Sequence, residues 1–202
     1  MIIDAMPYIQ QCAKAVAPST MQAIIKTESR NNPLAIGLNN HKKLSYQPGN
    51  FEQAKSWVEY LDTHGYDFDV GLGQVNIRNI RKFGYKASDM LDPCKNLTVA
   101  SYILSQNYKI ALTKSTNSRD ALLKAISAYN TGNYQNGFHN GYVQKVVRNA
   151  DNTNSNVAVS PHLHIEQTLT KNHHNHQFSR TIVYAKNKND IQASKYAMAQ
   201  NF

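Results

Sequence analysis

The sequence predicts a mainly α domain of about 150 residues followed by a low-complexity tail. Three observations predict it: apolar residues recur at helical spacing through residues 1 to 150, no segment sustains strict alternation, and the composition changes after Ala150. With 202 residues and 41 % hydrophobic content the chain can bury a core, while charged residues at 17 % leave much of its polarity to amides and hydroxyls. Collagen-like, coiled-coil and membrane-spanning classes do not fit, since no run approaches the roughly 18 apolar residues of a spanning helix. No transmembrane segment is therefore expected. The opening MIIDAMPYIQQ lacks the basic region and apolar stretch of an export signal, so any such signal is expected to be absent from this chain.

The elements follow in order. A first helix, about 4 to 16, carries Ala5, Ile9, Cys12 and Val16 on one stripe, and Pro18 stops it. A second opens with Ser19 and Gln22 in capping-box spacing, runs through Met21, Ile24 and Ile25, and ends before Asn31, Asn32 and Pro33. Residues 37 to 49, GLNNHKKLSYQPG, have loop composition, with a small hairpin around Leu44 to Tyr46 placed over a cleft. A third helix holds Phe51, Ala54, Trp57, Val58 and Leu61 and closes at Gly65; a short one from Ile77 to Phe83 stops at Gly84. Leu97, Ala100, Ile103, Leu104 and Ala111 mark a longer helix with Asn96 as its N-cap. Another runs from Asp120 to Tyr129, and a last one holds Tyr142, Val143, Val146 and Val147.

After Ala150 the run DNTNSNVAVS reads as a linker, and residues 151–202 are expected to be disordered or partner-binding. That tail has five bases against three acids, so most of the chain's net charge of +9 belongs to the helical domain and favours an anionic partner. His162, His164, His173, His174 and His176 lie in the tail at irregular spacing without Cys, which is a poor metal pattern, and no metal or cofactor is expected. No dense basic run or nucleic-acid motif is present, so nucleic acid is not an expected partner. Cys12 and Cys94 belong to no metal-like cluster; a long-range disulfide and two buried thiols both remain open.

Glu28 is the most informative residue, because Met21, Ile24, Ile25 and Glu28 share the stripe that faces the core. Desolvation raises a carboxyl pKa, and a neutral carboxylic acid can protonate a leaving-group oxygen. The alternative is a Glu at the edge of the stripe, reaching solvent or pairing with Arg30. Further on, Gly71-Leu72-Gly73-Gln74-Val75-Asn76 lacks the phosphate-loop lysine, but its glycines allow close backbone approach and Gln74 offers an amide suited to sugar substituents. Ala128-Tyr129-Asn130 ends a helix with a phenol and an amide before Gly132.

Taken in order, Glu28-Ser29, GLGQVN at 71 to 76 and Ala128-Tyr129-Asn130 resemble the motifs of the soluble lytic transglycosylases, relatives of the goose-type lysozymes. The flanks APSTMQAIIKTESRNNPLAIG, YDFDVGLGQVN and LDPCKNLTVASYIL look most like the transglycosylases that accompany type IV secretion systems, and the resemblance covers roughly residues 8 to 148. It implies a lysozyme-like helical domain with a small loop or hairpin over the cleft. It further implies that Glu28 is the sole catalytic acid and base on the β-1,4 bond between N-acetylmuramic acid and N-acetylglucosamine, with a 1,6-anhydro ring formed in place of hydrolysis. Ser29, Gln74 and Asn76 would face sugar substituents, Tyr129 would hydrogen-bond Glu28, and Asn130 would support the cleft. The family often has Met before this Gln, where this chain has Gly73. The resemblance also implies a Cys12–Cys94 disulfide, a periplasmic location, peptidoglycan strands as substrate, and secretion-system components as partners of the tail.

Two other readings compete. Asp67 or Asp69 could hold a water and make the reaction a hydrolysis, as in a lysozyme. Alternatively the domain is a glycan-binding assembly factor with weak catalysis.

Overall fold

The computed structural model describes residues 1–40 and 42–151. The expected tail, 151–202, and its five histidines fall outside these apart from Asp151. Proline and glycine set many of the element boundaries. Helix α1 (Met6–Cys12) is shorter than its apolar stripe suggests: the chain leaves the helix at Ala13, and Val16 is buried from the connection. Pro18 then begins α2 (Pro18–Glu28) with Ala17 as its N-cap and no side-chain cap, so the expected Ser19–Gln22 box is not made. Proline's fixed φ and missing N–H suit that first position, which moves the helix start one residue ahead of the serine.

A small antiparallel sheet follows, ordered β1 (Ile36–Leu38), β2 (Phe68–Val70), β3 (Val75–Asn76). Ile36 pairs with Val70, Leu38 with Phe68, and Asp69 with Asn76. The hairpin expected around Leu44 to Tyr46 does not form; that stretch is loop. Its Gln47 instead occupies the outer edge of β1, where its side-chain amide accepts from the Ile36 N–H (3.0 Å) and donates to the Ile36 carbonyl (2.8 Å). The amide thus satisfies backbone groups that an edge strand otherwise leaves open. Between β1 and β2 lies α3 (Phe51–Thr63), N-capped by Asn50 and buried through Ala54, Val58 and Leu61.

The remaining helices are α4 (Ile77–Lys82), a 3-10 turn (Ala87–Leu91), α5 (Pro93–Leu112), α6 (Ser118–Thr131), α7 (Asn136–His139) and α8 (Tyr142–Asp151). Helix α5 packs on α1 and α6, and α8 packs on α2 and α6. Its N-cap is Asp92, with Pro93 at the first position, rather than the expected Asn96. Asn96 lies a turn further in, fully buried, and the reason concerns the site described below. Gly132, at φ +68°, closes α6 in the left-handed conformation that ends many helices.

Cys12 and Cys94 form a disulfide between the end of α1 and the start of α5, 82 residues apart. Thr98 hydroxyl donates toward both cysteine carbonyls, at 3.2 and 2.8 Å, tying the same two helix ends. A cross-link closing a loop of this length removes chain entropy from the unfolded state worth about 4 kcal/mol. Replacing both cysteines by Ser should therefore lower the unfolding free energy by about 3–4 kcal/mol in a urea titration, and an unchanged midpoint would contradict this account.

Candidate active site

Helix α2 ends on Glu28. The apolar residues of its stripe, Met21, Ile24 and Ile25, have no exposed surface, whereas Glu28 is half-buried. It therefore marks the place where the core stripe meets an opening. The chain turns sharply beyond it: Ser29 is the C-cap, and Arg30 and Asn31 take positive φ of 54° and 63°. Arg30 does not pair with Glu28. The described ion pairs are Arg78–Asp67, Arg81–Asp62, Lys95–Asp89 and Lys124–Asp120.

What holds Glu28 is a phenol from the far end of the domain. Tyr142 hydroxyl donates to Glu28 Oε1 at 2.5 Å. Tyr142 is the first residue of α8, on the buried stripe it shares with Val143, Val146 and Ala150. Immediately before Glu28 in α2, the Thr27 hydroxyl donates to the Ala23 carbonyl and accepts from Asn149 of α8 at 2.8 Å. The α2–α8 contact thus fixes both the backbone and the side chain of the acid. Burial, the largest influence, lifts the Glu28 carboxyl from 4.5 to about 7; the Tyr142 hydrogen bond and Lys145 oppose the rise, and the charge of Asp69 adds to it. Burial also pushes the Tyr129 and Tyr142 phenols well above their usual range, as does the neighbouring Glu28 charge.

Tyr129 does not make the hydrogen bond to Glu28 expected of it. Its hydroxyl donates to the Gly73 carbonyl at 2.6 Å, so this phenol fixes the glycine turn and leaves the acid to Tyr142. The turn is held from its other side by Asn96, whose Oδ1 accepts from the Gly73 N–H (2.8 Å) and whose amide donates to the Val70 and Met90 carbonyls (2.8 and 3.0 Å). Asn96 therefore satisfies three buried backbone groups and cannot serve as a cap. This packing explains Gly73: a Cβ there would sit 2.7 Å from Ala100 Cβ and 2.9 Å from the Tyr129 hydroxyl. Gly71, at φ +78°, is required as well, since a Cβ would lie 2.4 Å from the Met90 carbonyl.

The other expected site residues are mostly engaged within the fold. Gln74 has φ +45°, uncommon for a residue with a side chain, and its amide donates to the Ala35 and Gly71 carbonyls at 3.0 and 2.9 Å. Ser29 hydroxyl donates back to the Ile25 carbonyl. Asn76 is the N-cap of α4, and its amide bridges Asp67 and Asp69 at 2.8 Å each. Asn130 is exposed; it accepts from the Asn140 amide, whose oxygen accepts in turn from the Tyr142 N–H. The Ala128-Tyr129-Asn130 motif is thus linked to the true phenol partner of the acid through one intervening asparagine.

Of the two acids weighed as water holders, Asp67 is tied to Arg78 at 2.7 Å. Asp69 is the one Glu28 senses, and burial raises its carboxyl although Asn76 and Asn39 hydrogen bonds oppose this. Among the described residues no group of three metal-ligating side chains occurs, and no helix is long and apolar enough to cross a membrane.

A helical domain with a three-stranded sheet, presenting a half-buried carboxyl beside a glycine-glutamine turn, is of the lysozyme-like fold class. The chain matches the transglycosylase SLT domain over residues 6–152 and belongs to that family. It is 40 % identical over 158 residues to the type IV secretion system protein virB1 of Brucella suis biovar 1, a match covering 75 % of this chain and 66 % of that protein. Protein virB1 of Agrobacterium fabrum is 37 % identical over 139 residues, covering 69 % of this chain and 56 % of its own. The chain thus spans just under two thirds of the length of the Brucella relative and rather less of the Agrobacterium one. No solved structure matches the chain.

A folded-state carboxyl near 7 against an ordinary 4.5 has a thermodynamic consequence. The folded protein holds this proton more tightly than the unfolded chain, so the contribution is favourable below about 4.5 and is lost as pH rises through about 7. The ceiling is about 3 kcal/mol at 1.36 kcal/mol per unit. Glu28→Gln keeps an acceptor for Tyr142 and cannot ionise, so it should melt several degrees above the wild type at pH 8 and within about one degree of it at pH 4. An equal offset at both values would refute the buried-acid assignment.

Proposed function

We propose that this domain is a peptidoglycan lytic transglycosylase acting on the β-1,4 bond between N-acetylmuramic acid and N-acetylglucosamine, and that it opens the wall locally for a type IV secretion system. The observation that carries the reading is the half-buried Glu28 carboxyl, titrating at about 7, with a phenol as its hydrogen-bond partner. A group with that pKa is protonated in a large fraction of molecules at neutral pH and is also a competent base after it has given its proton away.

Glu28 first donates its proton to the glycosidic oxygen, and the bond to the anomeric carbon breaks as positive charge develops on the sugar ring. The substrate's own 2-acetamido group stabilises that centre. The Glu28 carboxylate, stabilised by the Tyr142 hydroxyl, then takes the proton from the muramoyl 6-hydroxyl as that oxygen bonds to the anomeric carbon. The acid is regenerated, the 1,6-anhydro ring is closed and no water is consumed. Gln74, Ser29 and Asn130 are assigned to contacts with sugar substituents, and Tyr129 to holding the glycine turn. Family membership and the names of the virB1 relatives support the secretion context. The disulfide supports an oxidising compartment, the periplasm. Residues 152–202 are assigned to partner binding and are dispensable for cleavage.

Asp69 favours one second reading, hydrolysis, because its charge is felt at Glu28. Mass spectrometry of digested wall separates the two: anhydro-muramoyl ends are expected, and reducing ends, heavier by one water, would overturn the transglycosylase reading. Glu28→Gln should reduce muropeptide release by at least about a thousandfold, and a chain ending at residue 151 should retain it within about twofold.

Activity should fall on the alkaline side with an apparent pKa near 7, as Glu28 loses the proton it must donate. Tyr142→Phe removes a hydrogen bond that favours the ionised form, worth about 1.5 kcal/mol for a charged acceptor. Its alkaline limb should therefore move up by about one pH unit, with turnover at the optimum reduced by about tenfold or more. A limb that stays in place or moves down would show that the phenol does not set the acid's protonation.

A further inference from the structure

The β1–β2 ribbon has two faces, and the site uses only one. Gln74 lies against Gly37, and Asp69, opposite Gly37, is bonded to Asn39 and Asn76; these residues share the face turned toward Glu28. Ile36, Phe68 and Val70 take the other parity and are buried in the core, and beyond them, at the end of the ribbon, stand Leu38 and Tyr66. These last two line a groove of about 1080 Å³ between the 42–46 loop and α3, and none of its lining residues belongs to the site around Glu28.

The groove is built from four aromatic rings, of which Trp57 and Tyr66 are partly buried against the core while Tyr46 and Tyr60 are exposed. Helix α3 buries Ala54, Val58 and Leu61, while Trp57 and Tyr60 lie on a neighbouring stripe. Tyr46 and Trp57 meet edge to face at 6.0 Å, Trp57 and Tyr60 at 6.2 Å, and Tyr60 continues to Tyr66 at 6.4 Å. Tyr46 and Tyr60 nevertheless remain 58 % and 48 % exposed, which is a contiguous aromatic surface of the kind that marks a binding site. Its rim is polar, with Ser45, Ser56 and Gln53, and its charge is positive on balance: Lys42 and Lys43 face the single acid Glu52. Lys42 Nζ stands 4.6 Å over the Tyr66 ring.

We propose that this groove is a second carbohydrate-binding site, separate from the cleft of Glu28, that holds carboxylate-bearing strands of the wall glycan and so retains the enzyme on its substrate. Sugar rings present C–H faces that stack on indole and phenol, their hydroxyls match the serine and glutamine rim, and the lysine pair matches the carboxylates of peptide stems. The proposal takes the identity of the polymer from the reading of the reaction above, but its test does not depend on turnover.

Trp57 is the only tryptophan of the chain, so its emission reports the groove alone. In the full chain carrying Glu28→Gln, titration with soluble glycan strands bearing peptide stems should give a saturable change in emission. The neutral N-acetylglucosamine hexamer should bind about tenfold more weakly, and Lys42→Ala with Lys43→Ala should erase that difference. Tyr46→Ala with Tyr60→Ala should reduce co-sedimentation with purified wall at least fivefold, while the same pair of changes on active enzyme leaves cleavage of short soluble fragments within twofold. Emission that is insensitive to glycan, or that responds only to an added peptide of residues 152–202, would overturn the proposal. So would wall retention unchanged in the double tyrosine variant, or an equal loss of short-fragment cleavage. If active enzyme binds wall through these tyrosines yet releases no muropeptides, the reaction assignment fails and the groove stands.

Discussion

The site depends on one constraint: a carboxyl at the end of a core stripe whose named hydrogen-bond partner is an uncharged phenol. An arginine or lysine in direct contact with Glu28 would hold its carboxyl low and leave it ionised at neutral pH. The Tyr142 hydroxyl instead accepts the cost of burial in part only, so the carboxyl settles at about 7, where both protonation states are within reach. Such a balance requires that the two groups meet in a defined geometry although they are 114 residues apart in sequence. The packing of α8 on α2 provides it, and the Asn149–Thr27 hydrogen bond pins the two helices next to the acid. In this sense the last described helix positions the carboxyl as much as the helix that carries it.

A second asparagine-centred arrangement holds the opposite wall. Asn96 leaves the capping role to Asp92 and reaches from inside α5 to three backbone groups around the glycine turn. Tyr129 closes the same turn from α6. The turn is thereby fixed from two helices that themselves pack together, and the unusual φ of Gln74 is imposed by this frame. Asn130 and Asn140 connect the α6 end of that frame to the start of α8, so the residue that orients the acid and the residue that anchors the turn are parts of one hydrogen-bonded path.

Much of this was legible in the sequence because it rests on local patterns. The stripe of Met21, Ile24, Ile25 and Glu28 located the acid, the glycines located the close backbone approach, and helical spacing located seven of the eight described helices, all but α7. What could not be read depends on contacts between distant segments. The sheet pairs residues on either side of α3, so no local alternation announces it, and the hairpin expected around Leu44 to Tyr46 does not form. Asn96 looks like a cap because asparagine before an apolar run usually is one; only the position of the glycine turn gives it other work. Tyr129 was the phenol beside a recognisable motif, whereas Tyr142 follows a stretch that resembles no motif. One signal for it did exist: a polar-tipped ring on the buried stripe of the last helix, the same anomaly that singled out Glu28.

The ribbon between the two sites explains how one small sheet can serve two purposes. Side chains alternate across a strand, so every residue added to β1 or β2 contributes to one face without occupying the other. On the inner face the sequence places small and polar groups, Gly37, Asn39, Asp69 and Asn76, which leave space beside Glu28 and settle the charge of the acids. The other parity buries Ile36, Phe68 and Val70 in the core, and at the end of the ribbon Leu38 and Tyr66 meet Trp57 and Tyr60 of α3, away from the carboxyl. Burying Tyr46 and Tyr60 would have added stability, since each ring carries a large apolar area, yet both stay exposed. Their exposure is therefore best accounted for by a ligand, and a polymer that is cleaved at one point and must be held at others presents the extended, repeating surface that such a ladder of rings can grip.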